Sequence, residues 1–232
     1  MKNLFLKLSI ATILSLFISC VDSNDIKPET PIFQNYSLYH NKNNNSCFAL
    51  ANFRLHKENG TILEIRGNDK IKLTCNGQKT GFSLVGSIWN LDDCKTGANF
   101  SFTKENGDTF KNTIKMSDLR DIDIPKSFTG LKIGENYEFK WVGKPIQEDE
   151  TLEIHIEQRD DKSKLIGAET IISRMINSET IEIKKEQLSK FTKGKATFKL
   201  TRIREFEIQE TDQDAGGVFD ANTSVSKEIV LE

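Results

Sequence analysis

The chain has 232 residues, and its 32 basic residues nearly balance its 34 acidic ones, which gives a formal net charge of −2. Nucleic-acid-binding proteins present a clustered basic surface, so this balance argues against nucleic acid as a partner. There are only four prolines, and short runs rich in Val, Ile, Thr and Phe recur along the chain, as strands require. The composition therefore indicates an all-β protein.

The first residues have the character of an export signal. Two lysines precede an uncharged, mostly apolar stretch over residues 8–18. Such a stretch is typical of a secretory signal segment, and it is shorter than the roughly 20 apolar residues that a membrane-spanning helix needs. The following Phe17-Ile18-Ser19-Cys20 resembles the lipobox of bacterial lipoproteins. This resemblance implies that residues 1–19 are removed, that Cys20 carries covalent lipid such as palmitate, and that the membrane is a partner.

Residues 21–31, VDSNDIKPETP, are polar and acidic and contain two prolines. This composition predicts an unfolded tether, with a reach of at most about 40 Å, between the lipid and the folded body. In lipoprotein sorting, Asp directly after the lipidated cysteine retains the protein in the inner membrane, and this chain has Val21 there. The resemblance therefore implies anchoring in the outer membrane.

A first domain is predicted over residues 32–116. Apolar and polar residues alternate over 47–56 and again over 71–75, which predicts half-buried strands. A hairpin is predicted over residues 99–114, because Asn106-Gly107 separates two alternating runs and Asn-Gly is the strongest short hairpin signal.

A second domain is predicted over residues 117–232, after a polar joint. Alternation over residues 137–141, 152–156 and 196–202 predicts three of its strands, and residues 186–191 predict a single helical turn. Strands at intervals of about 8–15 residues, separated by turn residues, favour a β-sandwich.

The two domains also carry a resemblance. Trp141 near an early strand, with Gly194 opening a later one, is similar to the immunoglobulin-like and fibronectin type III pattern. The runs IRGNDKIKLTCNG, FSFTKENGDTFKNTI and GKATFKLTRIREFEI resemble those of uncharacterised bacterial lipoproteins with tandem β domains of this kind. The resemblance covers most of residues 45–232. It implies two tandem immunoglobulin-like β-sandwiches in the cell envelope, and it implies no activity.

Three cysteines follow Cys20, and an export compartment permits disulfides between them. We expect a Cys75–Cys94 bridge, because it closes the shortest sensible loop and would stabilise the fold by about 3 kcal/mol. A Cys47–Cys75 bridge is the alternative if those two strands face each other. Three reduced, buried thiols are a third interpretation.

An acidic loop near the C-terminus is the candidate metal site. Asp212, Asp214 and Asp220 flank two glycines, and calcium binds closely spaced carboxylates with glycine in the sharp turns. The spacing departs from that of an EF-hand. The competing interpretation is a solvated loop between two strands.

Trp89 is the candidate ligand-binding residue, since an exposed tryptophan in a short strand or loop marks a binding surface and stacks on sugars. Trp141, by contrast, falls among alternating apolar positions and is expected in the core.

The sequence contains no HExxH, no GxSxG and no phosphate-binding glycine loop. We therefore expect a non-catalytic, lipid-anchored envelope protein without a cofactor, in a binding or structural role, with an envelope protein or a glycan as partner. The alternative is a surface adhesin or glycan-binding module that uses the aromatic loop around Trp89.

Overall fold

The structure is a computed structural model that describes residues 20–65, 70–79, 82–83 and 86–232. The predicted signal segment, residues 1–19, lies outside this part of the chain. The protein is 55% strand and 6% helix, which confirms the predicted all-β class. Within the described ranges, no helix is long and apolar enough to cross a membrane.

The strands are short in the first half of the chain and longer in the second. In chain order they are β1 (Cys20–Asp22), β2 (Ile32–Asn41), β3 (Ser46–Leu55), β4 (Ile62–Glu64), β5 (Lys72–Cys75), β6 (Gln78–Lys79), β7 (Phe82–Ser83), β8 (Gly86–Leu91), β9 (Ala98–Thr103), β10 (Thr109–Ile114), β11 (Ile122–Asp123), β12 (Gly130–Leu131), β13 (Tyr137–Lys140), β14 (Val142–Gly143), β15 (Glu150–Arg159), β16 (Leu165–Ser173), β17 (Thr180–Ile183), β18 (Gly194–Phe206) and β19 (Gly217–Leu231). The helical segments are α1 (Lys185–Leu188) and three 3-10 turns, Cys94–Thr96, Met116–Asp118 and Gln213–Ala215.

One large sheet organises the described chain. Its main path runs β1-β4-β3-β2-β19-β18-β15-β16, and β8 pairs with the half of β3 that β4 leaves open. The 15-residue β19 pairs along its length with β18, and its first half pairs in parallel with β2. Strands β10-β9-β5-β6 form a second sheet, and β11–β14 and β13–β17 form two ribbons. The first and last long strands of the chain are therefore neighbours.

Alternation along the strands decides which face is buried. In β3, Ala49, Ala51 and Phe53 are buried while their neighbours are partly or fully exposed, as predicted. The predicted hairpin is also confirmed, since β9 and β10 pair with Phe102 opposite Phe110. The predicted helical turn is α1.

Two hydrophobic cores lie on the same face of the large sheet. The first core, which defines the first lobe, lies between the large sheet and the second sheet; it includes Tyr36, Phe53, Trp89, Phe100, Phe102, Phe219 and Ala221. The second core, which defines the second lobe, includes Phe128, Phe139, Trp141, Ile154, Phe198, Leu200 and Ile229. Because β19 supplies residues to both cores, the first core extends beyond the boundary predicted at 116/117.

A buried ion pair marks the junction of the lobes. Arg202 continues the apolar face of β18, and its guanidinium is paired with the Glu150 carboxylate, both side chains being almost fully buried. The same guanidinium donates to the carbonyl oxygens of Lys144 and Pro145, each at 2.8 Å. These bonds give partners to both terminal nitrogens of the buried guanidinium, while its Nε has no hydrogen-bond partner among the described residues.

The segment predicted as an unfolded tether is folded, so that expectation is wrong. Cys20–Asp22 form β1, which pairs in parallel with β4, and the Ser23 amide donates to the Glu64 carbonyl at 2.9 Å. Ile26 packs against the first core. The polar composition predicted disorder. The open edge of β4, however, presents backbone N–H and C=O groups, and the backbone of residues 20–22 forms hydrogen bonds with them.

Candidate ligand-binding face

Trp89 is not an exposed binding residue. It lies on the inner side of β8 with 3% of its surface exposed, and its indole nitrogen donates to the Gln78 carbonyl at 2.9 Å. Alternation along β8 turns Ile88 and Asn90 outward instead. The interpretation of Trp89 as a sugar platform is therefore wrong, whereas Trp141 is buried as expected.

The disulfide joins Cys47 to Cys94, with Cα atoms 5.4 Å apart, so the predicted Cys75–Cys94 bridge and its Cys47–Cys75 alternative are both wrong. Cys47 is paired in register with Leu91 at the end of β8, and the chain turns back at Cys94 beside it. Cys75 lies in the second sheet inside the first core, where burial raises the pKa of its thiol to about 12. This thiol is therefore protonated and unreactive at neutral pH.

Two of the three candidate calcium ligands have partners of their own, and the third is exposed. The buried Asp212 carboxylate is 2.9 Å from the Lys104 ammonium and accepts the Ile32 amide at 2.9 Å. Asp214 lies on an exposed 3-10 turn, and Asp220 lies within β19. Within the described residues, the group of His, Cys and acidic residues with close ligand atoms lies elsewhere, so the structure does not bring these three carboxylates together.

That group consists of His40, Cys47 and Cys94, whose candidate ligand atoms lie within 4.8 Å of one another. A cysteine binds metal as a thiolate, and here the two sulfur atoms are bonded to each other. The group therefore offers a single imidazole to a metal in the oxidised protein.

A different surface has the character of a binding site. The side of β19, β2, β3 and β8 that faces away from the first core is called the outer face here. On it, the rings of Tyr39 and Phe48 stack with centroids 4.4 Å apart and planes 10° from parallel. Phe48 is 36% exposed, and the neighbouring Ile88 is 38% exposed. Strand pairing places Tyr39 directly opposite Phe48, so each ring covers one face of the other. This stacked pair of rings is called the aromatic platform here.

Hydrogen-bonding groups surround this platform. Asp220 on β19 lies opposite Ser37, whose hydroxyl donates to its carboxylate at 3.0 Å, and the Asn222 amide donates to the same carboxylate. Burial raises the pKa of Asp220, although these hydrogen bonds oppose the shift. Burial and the Asp220 charge also raise the pKa of Tyr39, so its hydroxyl keeps its proton.

A cavity of about 410 Å³ continues the outer face toward the end of β3. Its lining includes Asn35 and Asn52, which are paired across β2 and β3, and the apolar Phe33 and Ile62. The side-chain oxygen of Asn35 is buried without a hydrogen-bond partner among the described residues. Since buried polar atoms normally have partners, this oxygen calls for an external donor. From Phe33 to Tyr39 along β2 the distance is about 20 Å.

Sequence reasoning missed this face because alternation alone does not say which side of a strand another layer covers. The signal was present in the paired strands β2 and β3, where both sides carry apolar residues: Tyr39 and Phe48 outward, Tyr36 and Phe53 inward. A scan against protein-family models finds no match for the chain, and neither does a comparison with curated proteins.

Proposed function

We propose that this chain is a non-catalytic protein of the bacterial cell envelope, anchored by lipid on Cys20 and built from two lobes of immunoglobulin-like character, that binds a glycan on its outer face. The envelope location rests on the lipobox resemblance. The binding role rests on one observation, the partly exposed stack of Tyr39 and Phe48 near the Asp220 carboxylate.

This combination suits a sugar. The apolar C–H faces of pyranose rings pack on aromatic rings, while hydroxyl groups take hydrogen bonds from polar side chains placed around them. The outer face offers Asp220 as an acceptor, and Asn35 and Asn52 as amides, along about 20 Å of strand. A site of this length accommodates several rings of an extended polysaccharide.

The experiment is a glycan array followed by titration of the best ligand with the purified protein. Phe48→Ala removes one ring of the platform. We expect it to weaken binding about tenfold, because such a ring contributes of the order of 1.4 kcal/mol.

The matched control is Tyr137→Ala, which removes an aromatic ring of similar exposure, 38%, from the second lobe. It is expected to bind as the parent does. The proposal would be contradicted if the Phe48→Ala variant bound as tightly as the parent protein, or if the parent protein bound no glycan on the array. Circular dichroism of each variant shows that the fold is retained.

A further inference from the structure

The position of Cys20 decides how the body meets a membrane. Cys20 is exposed and is paired in register with Ile62, which is itself paired with Arg54 at the end of β3. The β3–β4 turn, residues 56–60, lies next to these paired residues, Cys20, Ile62 and Arg54. Cys20 and this turn together are called the proximal end here.

The chain is held to the body from Cys20 onward. β1 is hydrogen-bonded to β4, Ser23 is 3% exposed, and the Asn24 side chain bonds the Asp22 carboxylate at 2.7 Å. The carbonyl oxygen of Thr30 accepts a hydrogen bond from the buried Lys104 ammonium at 2.9 Å. No slack segment therefore separates Cys20 from the first lobe.

The second lobe lies at the opposite end of the long strands. β2 leaves the proximal end at Ile32, and the next residue after it, Lys42, pairs with Asp121 at the junction of the lobes. β19 runs in the same direction, from Gly217 near the proximal end to Leu231 beside Gly194. Fifteen strand residues cover about 50 Å.

From this geometry we propose that the proximal end lies against the lipid bilayer and that the far end of the second lobe is held about 50 Å from it. The inference rests on the proposed acylation of Cys20. An acyl chain on Cys20 enters the bilayer at the headgroup boundary, and with no slack the neighbouring turn must lie at that boundary too. The outer face then runs away from the membrane, with its cavity nearest the lipid.

Two single-cysteine reporters test the orientation in the full lipidated protein. Glu58→Cys lies on the exposed proximal turn, and Lys193→Cys lies on an exposed loop at the far end of the second lobe. A maleimide dye selects the introduced thiol in the lipidated protein, because the lipid occupies the Cys20 sulfur, Cys47 and Cys94 are bonded to each other, and Cys75 is buried. The labelled proteins are reconstituted in phosphatidylcholine–phosphatidylglycerol vesicles with or without doxyl lipids.

We expect doxyl lipids to reduce fluorescence about twofold at position 58 and to leave position 193 unchanged, because quenching requires contact with the headgroup–acyl boundary. Inserting about eight Gly and Ser residues between Cys20 and Val21 adds up to about 28 Å of slack. The insertion should remove the quenching at position 58 while lipid is retained.

Mass spectrometry of the N-terminal peptide separates the two ways of failing. If Cys20 carries no lipid, the proposed anchoring is wrong. If Cys20 is acylated but the two reporters respond equally, or the insertion leaves the quenching intact, the orientation is wrong and the anchoring stands.

Discussion

At the scale of single residues, alternation carries the charged side chain of Lys104 into the interior of the protein. Phe100, Phe102 and Lys104 share the inner side of β9 and its turn, and Lys104 ends beside Asp212, both side chains being 1% exposed. A buried pair of this kind has little net effect against apolar replacements, but breaking it leaves an uncompensated charge. The pair ties the β9–β10 turn to the segment before β19.

We expect Lys104→Met to lower the free energy of unfolding by about 3–5 kcal/mol, because Asp212 would remain buried without its cation. The double variant Lys104→Met/Asp212→Asn should recover part of this loss, since no unpaired charge remains. Urea unfolding followed by circular dichroism measures both.

The exposed pair of Lys195 and Glu228 provides the control, with side chains 76% and 64% exposed. Lys195→Met should change stability too little to measure, because solvent screens such pairs. Equal effects of the Lys104 and Lys195 substitutions would contradict a special role for the buried pair.

At the scale of elements, the Cys47–Cys94 disulfide fastens β3 to the turn that follows β8. The bridged cysteines are 47 residues apart in the sequence, so the bond closes a loop that contains β4 to β8. Much of this loop is short strand, and β4 and β5 supply Leu63 and Leu73 to the first core. The bond restricts the unfolded chain and thereby favours this arrangement.

Reduction of this disulfide should lower the free energy of unfolding by about 4 kcal/mol, as the chain-entropy relation gives for such a loop. Chemical denaturation with and without a phosphine reductant measures the difference. A Cys47→Ser/Cys94→Ser variant should be insensitive to the reductant, whereas Cys75→Ala should keep the sensitivity. The reverse pattern would show that Cys75 takes part in the bridge.

At the scale of the whole molecule, the parallel pairing of β2 with β19 makes the first lobe depend on the end of the chain. Residues 217–224 are hydrogen-bonded to β2, and Phe219 and Ala221 are buried in the first core. Tyr36 lies between Phe53, Phe100 and Phe219, so removal of β19 would open the centre of that core. The first lobe therefore requires β19 in order to fold.

A fragment of residues 20–116 should show no cooperative unfolding transition, because it lacks the strand that covers β2. Appending residues 206–224 through a flexible linker should restore cooperativity, since these residues supply Phe219, Ala221 and the missing hydrogen bonds. Thermal denaturation followed by circular dichroism compares the two fragments. Cooperative unfolding of the shorter fragment would show that the first lobe is autonomous.

Local sequence patterns predict the β class, most strands and their buried sides, because period-two alternation is a local property of a strand. The same local patterns predict the β9–β10 hairpin through Asn106-Gly107. These features depend on neighbours within a few residues.

Local patterns do not predict the partner of Cys94, the burial of Trp89 and Asp212, the docking of residues 20–31 or the open outer face. Each depends on pairing between distant strands, above all β19 with β2, which lie more than 170 residues apart. Alternation says that a strand has two sides, but only the stacking of sheets says which side is covered. The candidate glycan-binding face is therefore a property of the assembled sheet.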